Sequence, residues 1–238
     1  MRIGLVAVLA LLWALSFLAS PAAAKSKEIK RLERATELLH EIMAAPDGGI
    51  PKDLLDRAEC IGIIPGVKKL ALGFGGRHGK GVFVCRRNRL AGPWGPCAMY
   101  KLSGGSIGFQ IGGTSTDFIL LIMNPKGAEY LVRSKFTLGV DLSAAAGPKG
   151  RTAEANTDVL MHAEILTYSR ARGLFAGVSL EGASVRQDKK ANKKIYGHEI
   201  NVKQVLLEEK AAVPAPVRPL VNTLNKYSPK NISAKRIP

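Results

Sequence analysis

The stretch CIGIIPGVKKLALGFGGRHGKGVFVC, residues 60–85, decides the fold class of this 238-residue chain. Short apolar runs alternate in it with glycines, and the same texture returns in residues 107–123. Runs of this length, bounded by Gly and Pro, are typical of β-strands joined by tight turns. Glycines within the runs, such as Gly108 and Gly112, predict bulges or sharp coiling of the sheet. We therefore expect several short strands across residues 60–136.

Helical patterns flank this β-rich centre. Residues 27–45 place apolar side chains at helical spacing, and the opposite face mixes lysine and arginine with glutamate. Such a helix either packs on the domain or dips into a membrane surface. A last helix is predicted at 199–209, and we expect it to end the folded domain, 25–209. Residues 210–238 are basic, contain several prolines and carry no acidic side chain, which predicts a disordered tail.

The N-terminal segment 1–24 has the layout of an export signal. Arg2 is followed by an apolar run over residues 3–18 and by the small residues Ala22, Ala23 and Ala24. The alternative is an uncleaved membrane anchor, but the apolar run is shorter than the ~20 residues that a spanning helix needs. We expect cleavage after Ala24 and an exported protein, periplasmic or extracellular, that associates peripherally with membranes.

The chain carries a net charge of +16, which falls to +15 when Arg2 is removed with the signal. A field of this sign favours adhesion to polyanions such as anionic lipid headgroups or acidic glycans. The positive charge is concentrated, because residues 60–116 contain no Asp or Glu but eight lysines and arginines, of which Lys101 is the last in sequence. We expect these cations to hold headgroup phosphates, each contributing ~1 kcal/mol near an anionic membrane. The predicted lipid-binding residues are Lys68, Lys69, Arg77, Lys80, Arg86, Arg87, Arg89 and Trp94.

The role of Trp94 has two interpretations. It stands between Pro93 and Pro96 in the same basic block, so an exposed indole there would insert at the headgroup level of a membrane. Large aromatic side chains are usually well buried, so the competing interpretation places Trp94 in the core.

Three cysteines, Cys60, Cys85 and Cys97, allow one disulfide in an oxidising compartment. Cys85 and Cys97 flank a predicted turn and form the preferred pair, although three buried free thiols are the alternative. Their spacing matches no zinc-binding pattern, so no metal site is expected.

Short motifs do not point to an enzyme. Residues 104–108 match the G-x-S-x-G string of a hydrolase, but that motif places its serine on a sharp turn from strand into helix, and the residues after Ser106 read as strand. The glycines of 73–81 lack the residues that a phosphate loop or a dinucleotide site requires, with Phe74 and His78 at two of the glycine positions. We therefore expect a non-enzymatic protein without catalytic residues or cofactors.

Several stretches, taken together and in order, resemble the SYLF lipid-binding domain family over roughly residues 28–200. They are Ile63–Pro65 with 73–76 and 79–82, Trp94–Pro96 with 104–108 and 110–112, and Tyr168–Ser169 with 173–182, Asp188, Asn192, Tyr196 and Gly197. Gly95 stands where that pattern has serine, and the three cysteines are not part of it.

The resemblance implies a single α+β domain with a strongly bent, mainly antiparallel, barrel-like β-sheet, an N-terminal amphipathic helix and flanking helices. It also implies binding of acidic phospholipids, aided by the amphipathic N-terminal helix and by basic residues, and no catalytic residues. The alternative is a structural or adaptor module that binds an acidic protein or glycan. Nucleic acid is the partner we expect least, because the basic block lacks interleaved aromatic side chains for base stacking.

Overall fold

A computed structural model of the chain describes residues 25–45, 49–148, 163–171, 174–177 and 180–233, without the side chains of 70–74, 106–113, 171 and 174–177. The predicted export signal, 1–24, lies outside these ranges.

Two very long strands form the centre of the fold. Strand β1 (Cys60–Arg86) and strand β2 (Trp94–Ile122) pair in antiparallel fashion over nearly their whole length, from Cys60 opposite Ile122 to Arg86 opposite Trp94. The prediction of several short strands is therefore wrong here. The glycines interrupt the apolar pattern, but strand pairing needs only backbone N–H and C=O groups, which glycine supplies. The ribbon therefore continues where the sequence pattern stops.

The β1–β2 ribbon bends so far that the two ends of β1 meet. The backbone N–H of Arg86 donates to the carbonyl of Glu59 at 3.0 Å, and a disulfide joins Cys60 to Cys85. A Cβ atom on Gly62 would lie 2.4 Å from the Phe83 ring, so this close approach requires glycine. The strongly bent sheet is confirmed.

The predicted disulfide between Cys85 and Cys97 is wrong. Cys97 lies opposite Val84 in the ribbon, so its side chain points to one face while Cys85 points to the other. Cys97 is buried as a free thiol in the core on the first face. Cys85 packs on the second face and can reach only Cys60, which the bend brings to it.

Five short strands complete the seven-stranded sheet of the described residues, in the order β3-β7-β2-β5-β4, with β1 also on β2 and β6 on β5. Every pair is antiparallel apart from β4 and β5, which confirms the mainly antiparallel sheet. The additional strands are β3 (Lys135–Thr137), β4 (Ala144–Ala146), β5 (Ile165–Ala171), β6 (Leu174–Gly177) and β7 (Ser184–Gln187).

Helices cover both faces of the sheet. One apolar core lies beneath α1 and α6, and a second contains side chains of α3 and α5. In the ranges described here, no helix has both the length and the apolar composition to cross a membrane. The helices are α1 (Lys27–Ala44), α2 (Lys52–Arg57), α3 (Pro125–Leu131), α4 (Lys189–Tyr196), α5 (Val202–Leu206) and α6 (Arg218–Tyr227), the last preceded by a 3-10 turn (Ala215–Val217).

Helix α1 begins with a capping serine and turns its apolar face inward. The Ser26 hydroxyl accepts a hydrogen bond from the Ile29 amide at 3.3 Å, a standard start for a helix. Its apolar residues recur every three or four positions, and five of them are at most 1% exposed: Leu32, Ala35, Leu38, Leu39 and Ile42. The apolar face of α1 is buried in the core of the domain. The prediction that this face enters a membrane is therefore not compatible with the structure.

The predicted disordered tail from residue 210 is wrong for the described residues. Helix α6 packs against α1 and β2, and its side chains Leu220 and Leu224 are fully buried. Beyond it, the Ser228 carbonyl accepts a hydrogen bond from the Trp94 indole at 2.8 Å. The prolines do not indicate disorder here, because Pro216 and Pro219 occupy first-turn positions of helical segments. A backbone N–H donor is not needed at those positions.

Candidate anion-binding cleft

Two of the predicted lipid-binding residues belong to the core. Arg86 is 1% exposed and donates hydrogen bonds to the carbonyls of Ala58 (2.9 Å), Leu55 (3.1 Å) and Ser228 (3.0 Å). Its guanidinium also stacks on the Trp94 ring, 4.1 Å from the centroid, and Trp94 is 2% exposed. Burial lowers the pKa of Arg86 to about 10, against the opposing influence of nearby Asp56 and Glu59. Neither side chain can reach a membrane, so both predictions are corrected to structural roles.

Arg87 and Arg89 lie at the turn between β1 and β2. Arg87 donates to the carbonyl of Ala211 at 3.0 Å, while Arg89 is exposed and has a positive φ of 54°. This turn is seven or more residues, about 23 Å of extended strand, beyond Lys80. Neither arginine lines the cleft that contains Lys68 and Lys80.

The remaining predicted cations lie along the bent part of β1. Lys68 and Lys80 are exposed and line one open cleft of about 800 Å³. Lys69 and Arg77 are half-buried nearby, opposite Thr114 and Gly104 of β2, and do not line the cleft. Of the eight predicted residues, the structure thus brings two together in one concave site.

The opposite wall of the cleft is helix α1, whose cations are not among the predicted lipid-binding residues. Lys27, Lys30, Arg31 and Arg34 line it, and Arg170 of β5 completes the basic lining. The signal was present in the sequence, because positions 27, 30, 31 and 34 follow the i, i+3, i+4, i+7 spacing of one helical side. The glutamates of the same polar face, including Glu33 and Glu37, fall beside this stripe, which is why the face as a whole looked mixed in sign.

One carboxylate, Asp117, lies within the cleft lining and organises its floor. Its carboxylate accepts a hydrogen bond from the backbone N–H of Gly66 at 2.8 Å. The same carboxylate lies 3.7 Å from the guanidinium of Arg34 and 4.0 Å from that of Arg170. Arg170 also pairs with Glu41 on α1. These ion pairs fasten the helix to the sheet, so the two walls of the cleft keep their spacing.

Four lysines of the cleft have no ion-pair partner among the described residues: Lys27, Lys30, Lys68 and Lys80. Arg31 faces Asp188 at 3.8 Å, and Arg34 and Arg170 share Asp117, so the arginines serve the scaffold. Ammonium groups that have no ion-pair partner and surround a concavity raise the local concentration of anions. The cleft is therefore suited to clustered phosphate or carboxylate groups.

The described residues contain no cluster of three or more His, Cys, Asp or Glu side chains with the spacing of a metal site.

Ser106, the serine of the hydrolase-like string, lies in the middle of β2 opposite Gly75 rather than on a turn from strand into helix. The nucleophile motif requires a sharp turn from strand into helix, and Ser106 does not lie on such a turn.

Comparison with known proteins identifies the family. A sequence model of the Ysc84 family, described as Las17-binding protein actin regulator, matches residues 103–227, from the bent part of β2 to the end of α6. The chain belongs to the Ysc84 family, whose domain is also called SYLF. The match includes α6, which agrees with the packing of that helix on the core.

Proteins of fungi and animals are similar to most of this chain. An SH3 domain-containing protein of Schizosaccharomyces pombe is 37% identical over 74% of the chain. LAS seventeen-binding protein 3 of Saccharomyces cerevisiae is 35% identical over 78%, and human SH3 domain-containing YSC84-like protein 1 is 31% identical over 86%. The chain spans 41%, 41% and 58% of the lengths of these three relatives, respectively.

Proposed function

We propose that this Ysc84-family domain is a non-enzymatic lipid-binding module that docks on anionic phospholipid membranes through the basic cleft. The observation that carries the proposal is the meeting of four unpaired lysines, two from α1 and two from β1, around one cavity of about 800 Å³. These side chains are exposed, so holding them together costs little desolvation, and a phosphate group gains several charge-assisted hydrogen bonds at once.

Helix α1 acts in this proposal by charge and not by insertion. Its apolar face is buried, whereas Lys27 and Lys30 are exposed on the side that faces the cleft. Each cation near an anionic bilayer contributes ~1 kcal/mol, and the contribution is screened by salt. Binding should therefore require anionic lipid and weaken steeply as the ionic strength rises.

Vesicle co-sedimentation tests the cleft directly. We expect wild type to sediment with phosphatidylcholine vesicles only when phosphatidylglycerol is included. Lys30→Glu combined with Lys68→Glu reverses one cation on each wall, and we expect at least about tenfold weaker binding, since four units of charge change near the bilayer.

The matched control is Lys226→Glu with Lys230→Glu, which changes the net charge by the same amount elsewhere. Both residues flank Ser228, whose carbonyl bonds to Trp94 at the start of β2. Trp94 precedes Lys101 by seven residues, which is ~23 Å along the strand. Equal loss of binding in the two double variants would mean that net charge alone drives adsorption, and the cleft would lose its assigned role.

A second candidate function is an adaptor module that binds an acidic protein or glycan, and the relatives supply the observation that favours it. LAS seventeen-binding protein 3 is named for a protein partner. An acidic segment of a partner would use the same unpaired lysines. This alternative predicts saturable capture of a partner that the cleft variant loses, together with indifference of the wild-type protein to anionic vesicles.

We also propose that the domain works outside the cytoplasm after cleavage behind Ala24. The disulfide between Cys60 and Cys85 supports this location, because such bonds persist in oxidising compartments. N-terminal sequencing of the protein recovered from its native host tests the proposal, with Lys25 as the expected first residue. An intact Met1 on the cell-associated protein would contradict it.

A further inference from the structure

A row of four cations crosses the sheet beside the cleft. The strand register places Lys80 of β1 opposite Lys101 of β2, Lys101 opposite Arg186 of β7, and Arg186 opposite Lys135 of β3. Residues directly opposite one another in a sheet point to the same face. With strands ~4.8 Å apart, the row of Lys80, Lys101, Arg186 and Lys135 spans about 14 Å.

The cation row faces outward. In the neighbouring row, Leu102, Val185 and Phe136 are at most 1% exposed and fill the core on the other face of the sheet. The row beyond it returns to the outer face and carries small polar side chains, with Ser103 opposite Ser184 and Ser184 opposite Thr137. Lys80, Arg186 and Lys135 are exposed and Lys101 is half-exposed. Helix α1 covers this face farther along the ribbon, where Val82 and Met99 are buried. At the cation row the same face is polar, open and positively charged.

Within the described part of the protein, one of the four cations of the row, Lys101, has an ion-pair partner. Asp188 lies 3.3 Å from Lys101 but is shared with Arg31 at 3.8 Å, and it also caps helix α4 through the Ala191 amide. Lys80, Arg186 and Lys135 have no ion pair in these ranges. Like charges directly opposite each other destabilise a sheet. An anionic partner on this face would remove that repulsion.

The row and the cleft form one continuous surface. Lys80 belongs to both, and the carboxylate of Asp188 joins Arg31 on the cleft wall to Lys101 in the row. The cleft is a single concavity, whereas the row continues about 14 Å across strands that lie side by side. A surface of this extent matches an array of headgroups better than a single small anion.

We infer that the part of this sheet face that α1 leaves uncovered is turned toward the bilayer beside the cleft, with Arg186 and Lys135 contacting headgroups beyond the cleft. This inference rests on the proposed lipid binding and adds the orientation of the domain. A bilayer is favoured over a nucleic acid because the two outward rows contain no Phe, Tyr or Trp on which bases could stack.

Reversal of the distal pair tests the orientation. Lys135→Glu with Arg186→Glu leaves every named cleft residue in place, and we expect about tenfold weaker binding to phosphatidylglycerol-containing vesicles with a shallower salt dependence. Lys226→Glu with Lys230→Glu is again the control of equal charge and should bind within about twofold of wild type. Because two opposed glutamates also repel, Lys135→Gln with Arg186→Gln is measured alongside, and circular dichroism checks that each variant folds.

The outcomes separate the two proposals. If wild type ignores anionic vesicles, lipid binding itself fails and the orientation fails with it. If wild type binds and the distal variants bind as the control does, lipid binding stands and the orientation is wrong. A single-stranded oligonucleotide that competes with vesicles for wild type but not for the distal variants would replace the bilayer as the occupant of this face.

Discussion

The carboxyl of Glu59 has the most unusual environment of any acid for which a pKa shift is resolved. It is 7% exposed, directly before the disulfide, and burial raises its pKa to about 7 although Arg86 and hydrogen bonds with Asn231 and Ser233 oppose that shift. Arg86 and Glu59 thus stand as two ionisable groups beneath the C-terminal segment 228–233. Their role is to hold that segment on the core.

The raised pKa of Glu59 predicts how stability depends on pH. The folded state binds a proton more tightly than the unfolded chain, whose glutamate has a pKa of about 4.5. The contribution of Glu59 to the unfolding free energy is therefore complete below pH 4.5 and is lost as pH rises through about 7. The loss is at most roughly 3 kcal/mol.

Urea unfolding at pH 5 and pH 8 measures this effect. Glu59→Gln removes the titrating group, so the difference in unfolding free energy between the two pH values should shrink in the variant. Glu33→Gln, an exposed glutamate on α1, is the control and should keep the wild-type difference. Identical pH profiles for wild type and Glu59→Gln would contradict the assignment.

At the scale of elements, the bent β1–β2 ribbon depends on the contact between the two ends of β1. The Cys60–Cys85 bond closes a loop of 25 residues that contains the whole bend. Closing a loop of this size stabilises a fold by roughly 2–4 kcal/mol. Cys97 remains outside the bond, and burial raises the pKa of its thiol to about 12.

Thiol counting checks this pairing. The native protein should show no reactive thiol, the denatured unreduced protein one, and the denatured reduced protein three. Peptide mapping after alkylation should place the single label on Cys97. A label on Cys60 would restore the Cys85–Cys97 pair that the sequence spacing favoured, and would require a different course of the ribbon.

For the whole molecule, the C-terminal segment decides whether the domain is complete. Val217, Leu220, Val221 and Leu224 are buried, and each contributes about 1.5–3 kcal/mol. Together they amount to much of the 5–15 kcal/mol that usually stabilises a domain. Residues after 209 also supply the Ser228 carbonyl to both Arg86 and Trp94.

A chain that ends at residue 209 is therefore expected to aggregate or to lose its cooperative thermal unfolding transition. A chain that ends at Ser233 keeps all of these contacts and should unfold near the wild-type temperature. Circular dichroism melting of the two truncations makes the comparison. A stable, cooperative domain 25–209 would show that α6 is dispensable and would favour the tail predicted from composition.

The sequence predicted the candidate site in part. The absence of acidic residues around Lys68 and Lys80 predicts that they bind anions, and both line the cleft. Arg86 has the same local sequence environment but is buried. The bend brings it to the carbonyls of Leu55 and Ala58, which lie about 30 positions earlier in the sequence. Composition does not single out Lys27 and Lys30, because it averages the whole polar face of α1, whereas the cleft uses one side of that face.

The amino-acid sequence alone determined the properties that depend on near neighbours: the helix at 27–45, the β-rich centre at 60–123, the excess of positive charge and the glycines that permit a bend. Only the tertiary structure decided which cations share a surface, which cysteines pair and whether residues 215–227 are folded. These properties depend on contacts between distant residues, and the direction and extent of the β1–β2 bend set those contacts. Residue type and spacing do not specify that bend, because glycine permits many backbone conformations and packing selects one of them.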